Sequence, residues 1–201
     1  ARVRFLQMNL FRPCFRDGLF DVLLCNGVLH HTADPFGGYR GLIPLVKPGG
    51  HVIVGLYSKY GRLFTDLRRA LFRFTGGRAR WVDPILRSNR LGGKQREAWF
   101  ADQYRHPHES EHTVDEVLGW FAETGVEFVR GIPSVTPRGD ALDRVELFAP
   151  EDRGSRLERV LAQLGQVVTA SREGGYFLMG GRKAAGTARE PDRVREQAVH
   201  A

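Results

Sequence analysis

The chain has 201 residues, of which 42% are apolar and 26% are charged, and it carries a net charge of +7. This composition excludes collagen-like, disordered and disulfide-scaffold proteins, and the length suffices for one domain with a hydrophobic core. Its two cysteines, Cys14 and Cys25, are too few for a disulfide framework, so we expect a cytoplasmic protein. No apolar run approaches the roughly 20 residues that span a bilayer, and no membrane partner is expected.

The basic excess lies in one segment, residues 62–96. This segment from Arg62 to Arg96 has ten basic and two acidic side chains, a net +8, so the remaining residues together carry −1. Clustered arginines could attract a nucleic acid or a phosphorylated substrate. The favoured interpretation is the solvated face of a helix, because 26 of the 30 basic residues in this chain are arginine.

The first third of the chain predicts a strand, a helix and a second strand. Residues 20–25 and 51–57 are nearly continuous apolar runs, which is typical of strands that are covered on both faces of a parallel sheet. Asp34 can cap the intervening helix, Pro35 suits its first position, and the helix should end irregularly before the turn at residues 47–50. A strand, helix and strand joined by short links predict an α/β fold.

The rest of the chain contains further helices and strands. An apolar stripe with charged residues opposite predicts an amphipathic helix after the second strand; the stripe is Leu63, Phe64, Leu67, Leu71 and Phe72. Residues 76–112 lack clear periodicity and are expected to be an inserted loop or lid. Capping boxes start helices at Thr113 and at Ser155, the latter inside a second insertion at residues 134–172. Strands are predicted at residues 127–133 and 176–179, and a flexible tail at 184–201.

One segment is more informative than the others. Residues 20–35 read FDVLLCNGVLHHTADP, and the turn KPGG follows at residues 47–50. The buried strand of this segment ends in Asn26 and Gly27. Open α/β folds bind their ligands at this carboxyl edge of the sheet.

This segment closely resembles the fourth and fifth strands of class I S-adenosylmethionine-dependent methyltransferases. Residues 3–15 look like the third strand of that family with its following loop, and residues 126–133 and 176–182 look like its closing antiparallel pair. The resemblance implies a Rossmann-like sheet with the strand order 3-2-1-4-5-7-6. Because no two glycines are spaced two apart, the glycine-rich turn after the first strand is missing. We therefore expect residues 1–183 to be a partial domain without the first two strands, with residues 3–8 apart from the sheet and with impaired cofactor binding.

The resemblance also implies site residues. Asn9 and Leu10 match the position that faces the adenine, and Asn26 and Gly27 match the turn beneath the methionine. For Asn26 a purely structural role at the strand end is an equal alternative. His30 and His31 follow on the loop that faces the transferred methyl group.

Transfer of a methyl group from a sulfonium to an acceptor needs alignment of the two, and it needs a base only when the acceptor must lose a proton. The candidates for that base are His31, Tyr57 and His106. Residues 99–108 are expected to form a wall or lid over the pocket of an acceptor that is a small molecule.

Two other functions stay open at this point. Residues 108–112 read HESEH, which fits the zinc-hydrolase pattern H-E-x-x-H through His108 and His112. That pattern requires a helix, whereas Pro107 precedes it and Thr113 caps the next helix, so we expect a loop and no metal. The +8 segment supports the second alternative, a non-catalytic module that binds nucleic acid.

Overall fold

The computed structural model describes residues 3–76, 78, 82–87, 92–104, 109–138, 146–169 and 175–185. Within these residues, four strands form one sheet in the order β1-β2-β4-β3. The strands are β1 (Phe20–Asn26), β2 (Val46–Tyr57), β3 (Val126–Ile132) and β4 (Tyr176–Lys183). β1 and β2 are parallel, and β4 pairs antiparallel with both β2 and β3. The predicted α/β class and the closing antiparallel pair are therefore confirmed.

This strand order equals the 4-5-7-6 part of the order that the resemblance implies. Residues 3–8 form no strand and lie exposed, as expected for a segment apart from the sheet. After them Asn9 makes a tight turn, in which its backbone carbonyl accepts a hydrogen bond from the Arg12 amide at 3.1 Å. The carboxyl ends of β1 and β2 lie side by side, with Asn26 opposite Gly55.

The turn predicted at residues 47–50 is instead a bulge inside β2. Phe20 pairs with Val46 and Val22 pairs with His51, so β2 contains three more residues than β1 between these two pairs. Gly49 has a φ of +76° within the bulge, a conformation that favours glycine. A salt bridge from Lys47 to Asp21 fixes the bulge against β1, with the Nζ and Oδ1 atoms 2.7 Å apart.

One face of the sheet is covered by α1 (Pro35–Leu42) and α5 (Val114–Glu123). Asp34 caps α1 as predicted, because its Oδ1 accepts the Gly37 amide hydrogen at 2.8 Å, and the helix ends irregularly in a 3₁₀ turn at Ile43–Leu45. The rings of Tyr39 and Trp120 lie 5.7 Å apart at the centre of this interface. Burial raises the pKa of the Tyr39 phenol, which is consistent with its place in the core.

The amphipathic helix α2 (Leu63–Phe74) has its apolar stripe on the outside. Leu63, Phe64, Leu67 and Leu71 are exposed, whereas Phe72, which the sequence placed in the same stripe, is buried on the opposite side. Phe72 packs against α4 (Gly93–Tyr104), with its ring 5.6 Å from Phe100 and 4.7 Å from Tyr104.

One arginine of the basic segment also differs from the sequence-based alternative of a solvated face. Arg62, immediately before the helix, is completely buried. Together with Phe72 it fixes α2 to the protein through the side of the helix that lies opposite the stripe.

Two other helices complete the described structure, α3 (Pro84–Arg87) and α6 (Arg156–Thr169). The capping box at Ser155 is confirmed, because the Ser155 amide donates to Glu158 Oε2 at 2.9 Å and the Ser155 hydroxyl accepts from the Glu158 amide. α6 binds α5 through polar groups: Arg159 Nε donates to Asp115 Oδ1 at 2.9 Å, and Gln163 Oε1 accepts from the Val114 amide. No helix in the described part of the chain is long and apolar enough to cross a bilayer.

Candidate functional site

Four rings meet beyond the carboxyl ends of β1 and β2, and we call them the aromatic cluster: His30, His31, Tyr57 and Tyr176. The buried His30 ring lies 4.2 Å from the ring of His31 and 4.1 Å from that of Tyr57, between centroids. Tyr176 meets Tyr57 edge-on at 5.8 Å. The structure thus brings together two of the predicted base candidates, His31 and Tyr57, and adds Tyr176.

Asn26 and Gly27 lie exposed at the end of β1, where the resemblance places the cofactor. Asn26 Oδ1 accepts a hydrogen bond from the Tyr176 hydroxyl, so Asn26 has a structural partner on β4. Gly27 has a φ of +74°, a conformation that L side chains rarely adopt. Burial raises the pKa of Tyr176 to about 12, so its phenol stays protonated and can donate this bond.

Gly55 makes room for the contact between Asn26 and Tyr176. A Cβ atom on Gly55 would lie 2.0 Å from Tyr176 Oη and 2.1 Å from Asn26 Oδ1, far inside van der Waals contact. The absence of a side chain in β2 therefore allows β1 and β4 to be joined across it. The sequence did not indicate this role for Gly55.

The loop at residues 109–112 is hydrogen-bonded to the backbone of two residues of the aromatic cluster. The Ser110 amide donates to the His30 carbonyl at 2.8 Å, and the His112 amide donates to the Tyr57 carbonyl at 2.8 Å. His112 Nε2 lies 2.8 Å from Ser110 Oγ, and its Nδ1 lies 2.9 Å from Glu116 Oε1. These bonds hold the loop on both His30 and the end of β2.

A buried ion-pair network lies next to the aromatic cluster. The guanidinium carbon of Arg62 lies 3.9 Å from the centre of the Tyr57 ring. Arg62 pairs with Glu109 at 2.8 Å and with Glu111 at 3.4 Å, and Glu109 also pairs with Arg69. The Tyr57 ring is therefore held between an imidazole and a guanidinium, which fixes its orientation.

Glu111 has an unusual pKa in this network. Burial is the largest cause, and the neighbouring Asp66 carboxylate adds to it, so that the pKa of Glu111 rises to about 7 against the opposing effect of Arg62 and Arg69. Glu109 and Asp66 already balance the two guanidinium groups. Ionisation of Glu111 would therefore add an excess negative charge to a buried site.

The zinc-hydrolase alternative finds no support in these residues. Glu109–His112 precede α5 and are not helical, so they do not have the one-turn spacing that the pattern requires. Glu109 is held by two arginines, and His112 is bonded to Ser110 and Glu116. His106 and His108 lie outside the described residues. Within the described part of the chain, no group of three His, Cys, Asp or Glu side chains could hold a metal ion.

The other two predicted cofactor residues lie in the turn before β1. Asn9 is exposed, and its Oδ1 accepts the Phe11 amide hydrogen at 2.9 Å. Leu10 packs against the core beside Gly38. Sequence reasoning missed Tyr176, Arg62 and Glu109. A signal for the last two was present, since acidic residues at 109 and 111 are the natural partners of an arginine-rich segment.

Comparison with known proteins finds a family model that matches part of the chain. Residues 1–54 match a family model described as a methyltransferase domain, which confirms the resemblance over the segment that carries β1, α1 and most of β2. An uncharacterised protein of Synechococcus is 29% identical over 149 residues, which are 64% of this chain and 36% of that protein. The chain therefore spans about a third of the length of this relative.

Solved structures of methyltransferases are also similar. One is the complex of the Haloferax volcanii Trm112 methyltransferase activator with a methyltransferase, with 13% identity, a TM-score of 0.48, and coverage of 90% of this chain and 61% of that one. Another is the Burkholderia thailandensis 1,6-didemethyltoxoflavin-N1-methyltransferase with bound S-adenosylhomocysteine, with 15% identity, a TM-score of 0.42, and coverage of 90% and 51%. At these scores the similarity carries no statement about substrate.

Proposed function

We propose that this chain is part of an S-adenosylmethionine-dependent methyltransferase that methylates a small molecule. The observation that carries the proposal is the match of residues 1–54 to a methyltransferase domain, together with the site at the end of the same segment. Asn26 and Gly27 end β1 at the sheet edge where open α/β folds bind ligands, and the aromatic cluster lies directly beyond them.

The residues at this edge fit the cofactor. Gly27 is exposed and carries no side chain, so a ligand can approach its backbone closely. The Asn26 amide group is oriented by Tyr176, and the exposed Asn9 offers further polar atoms for the adenine end. When bound, S-adenosylmethionine supplies an electrophilic methyl group on a sulfonium.

The aromatic cluster is the proposed acceptor side. Buried His30 contacts the rings of His31 and Tyr57, which are only partly buried and can contact an acceptor. Aromatic walls align an acceptor and exclude water, which is most of what methyl transfer demands of an enzyme. His31 is the proposed base where the acceptor must lose a proton.

Calorimetry tests the proposal on the full polypeptide that the reading frame of this chain encodes. We expect S-adenosylmethionine to bind, and we expect Asn26→Ala to weaken binding at least about tenfold. Asp21→Ala, at the opposite end of β1, is the matched control and should bind as the wild type does. No heat of binding to the wild type, or equal losses in both variants, would refute the cofactor assignment.

A further inference from the structure

The outward face of α2 is an unusual surface. Leu63, Leu67 and Phe74 are 58%, 67% and 90% exposed. With 3.6 residues per turn, they share about 100° of the helix circumference with Phe64 and Leu71, which are also exposed. A soluble helix normally buries such a stripe against its own core.

Contacts on the inner side of α2 fix the orientation of this helix. Buried Phe72 packs on Phe100 and Tyr104, Thr65 is buried, and Arg62 at the start of the helix is held by Glu109. Turning the stripe inward would expose Phe72 and break the buried ion pairs. These contacts therefore keep the stripe exposed in the described part of the chain.

Basic side chains flank the stripe on both sides. On the helix circumference Arg68 follows one edge of the stripe. Beyond the other edge come Ala70, Asp66 and then exposed Arg73. The one acidic residue of the helix, Asp66, pairs with Arg69 at 3.3 Å. The surface around the stripe is therefore positively charged.

We propose that α2 adsorbs to an anionic lipid bilayer, with its leucines and phenylalanines in the acyl boundary and its arginines at the headgroups. An apolar face bordered by arginine, with a polar opposite face, is the pattern of helices that lie in the membrane interface. Arginine stems can extend from the edge of such a face and place their guanidinium groups among lipid phosphates. The proposal concerns surface binding and does not depend on methyl transfer. It departs from the sequence-based expectation of no membrane partner, which considered only segments that span a bilayer.

Two other occupants of this face fit less well. A two-fold contact with a second copy would gather Arg68 and Arg73 of both copies around one small apolar interface, which like charges disfavour. A nucleic acid would place phosphates against the leucine and phenylalanine side chains, which offer no hydrogen-bond donors. An anionic bilayer offers acyl chains to the apolar stripe and phosphate groups to the arginines beside it.

Vesicle flotation with the full chain tests the proposal. We expect flotation with vesicles of phosphatidylcholine containing about 30% phosphatidylglycerol, and far less with phosphatidylcholine alone. Raising the salt to about 0.5 M should weaken binding. The double variant Leu67→Gln/Phe74→Gln should bind at least about tenfold more weakly, and Arg68→Gln/Arg73→Gln about 30-fold more weakly.

Helix α6 provides the matched control. Leu157 and Leu161 are also exposed on one helix face, so Leu157→Gln/Leu161→Gln removes a similar apolar area outside the basic segment and should leave flotation unchanged. All positions are on the surface, and circular dichroism should show folded variants.

Three outcomes would overturn the proposal. The first is no flotation with either vesicle, and the second is an equal loss in the α6 control. The third is a wild-type dimer in light scattering that Leu67→Gln/Phe74→Gln dissociates, because the stripe would then bind a second copy. Salt-sensitive binding to duplex DNA without flotation would likewise replace the bilayer with a nucleic acid.

Discussion

The Tyr176 hydroxyl donates a hydrogen bond to Asn26 Oδ1, and this bond joins the start of β4 to the end of β1 across the intervening strand β2. Gly55 of β2 lies between them and has no side chain that would obstruct the contact. One bond between residues 150 positions apart in the chain thus orients the side chain at the proposed cofactor edge.

Gly55→Ala should destabilise the protein by about 1–3 kcal/mol, because the new Cβ would collide with both Tyr176 Oη and Asn26 Oδ1. Removing the hydroxyl with Tyr176→Phe relieves one collision and lets Asn26 rotate. In urea unfolding, the double variant Gly55→Ala/Tyr176→Phe should therefore lose about 1 kcal/mol less free energy of unfolding than the two single variants lose together. Gly119→Ala, in a helix and with no atom within 4 Å, is the control and should be neutral or stabilising. Simple additivity would contradict the proposed contact.

Tyr176→Phe alone should lower the free energy of unfolding by about 1 kcal/mol, the typical net value of a hydrogen bond. It should also weaken S-adenosylmethionine binding several-fold, because the Asn26 amide is no longer oriented. Calorimetry on the full polypeptide measures the second effect. Tyr60→Phe, at a partly buried tyrosine outside the aromatic cluster, provides the comparison. A lower stability with unchanged affinity would show that the Tyr176 bond does not orient Asn26 for the cofactor.

Arg62→Met should destabilise strongly, by about 3–5 kcal/mol, because it removes a partner of the buried Glu109 and leaves that carboxylate undercompensated. Adding Glu109→Gln should recover part of the loss, since the buried charge is then gone. Arg73→Met, at an exposed position, should change stability by less than about 0.5 kcal/mol. Denaturant unfolding distinguishes these cases, and similar losses in Arg62→Met and Arg73→Met would argue against the network.

Glu111 should make stability depend on pH. Its pKa of about 7 in the folded protein exceeds the ordinary value of 4.5, so the folded state binds the proton more tightly than the unfolded state. The contribution of Glu111 to stability is therefore largest below about pH 4.5 and is lost as the pH rises through about 7. Glu111→Gln should flatten this part of the pH profile and should be more stable than the wild type at about pH 8.

The control for this titration is Glu127→Gln, an exposed carboxyl on β3. It removes the same charge from the surface and should leave the slope between about pH 5 and 8 in place. A wild-type stability that rises over this range, or an unchanged slope in Glu111→Gln, would contradict the account of the buried network.

Local patterns were sufficient for much of the fold. Strand β1, the caps at Asp34 and Thr113 and the capping box at Ser155 form as predicted, because each depends on residues within a few positions of one another. The prediction that β1 is covered on both faces is wrong for the described residues, since Val22 and Leu24 are 46% and 63% exposed. At the bulge in β2, by contrast, the sequence predicts a turn before the strand. Its lysine and glycines are typical of turns, and only the pairing with β1 shows that the strand continues through them.

The sequence by itself determined the α/β class, the methyltransferase resemblance of the β1 segment and the amphipathic character of α2. The tertiary structure decided which side of α2 faces outward, and it assembled His30, Tyr57, Arg62 and Tyr176 into one site. These outcomes depend on buried ion pairs, ring contacts and close backbone approach between distant segments. The periodicity of the sequence shows that α2 has an apolar and a polar face. Only the contacts of Phe72 and Arg62 in the tertiary structure determine which of them is buried.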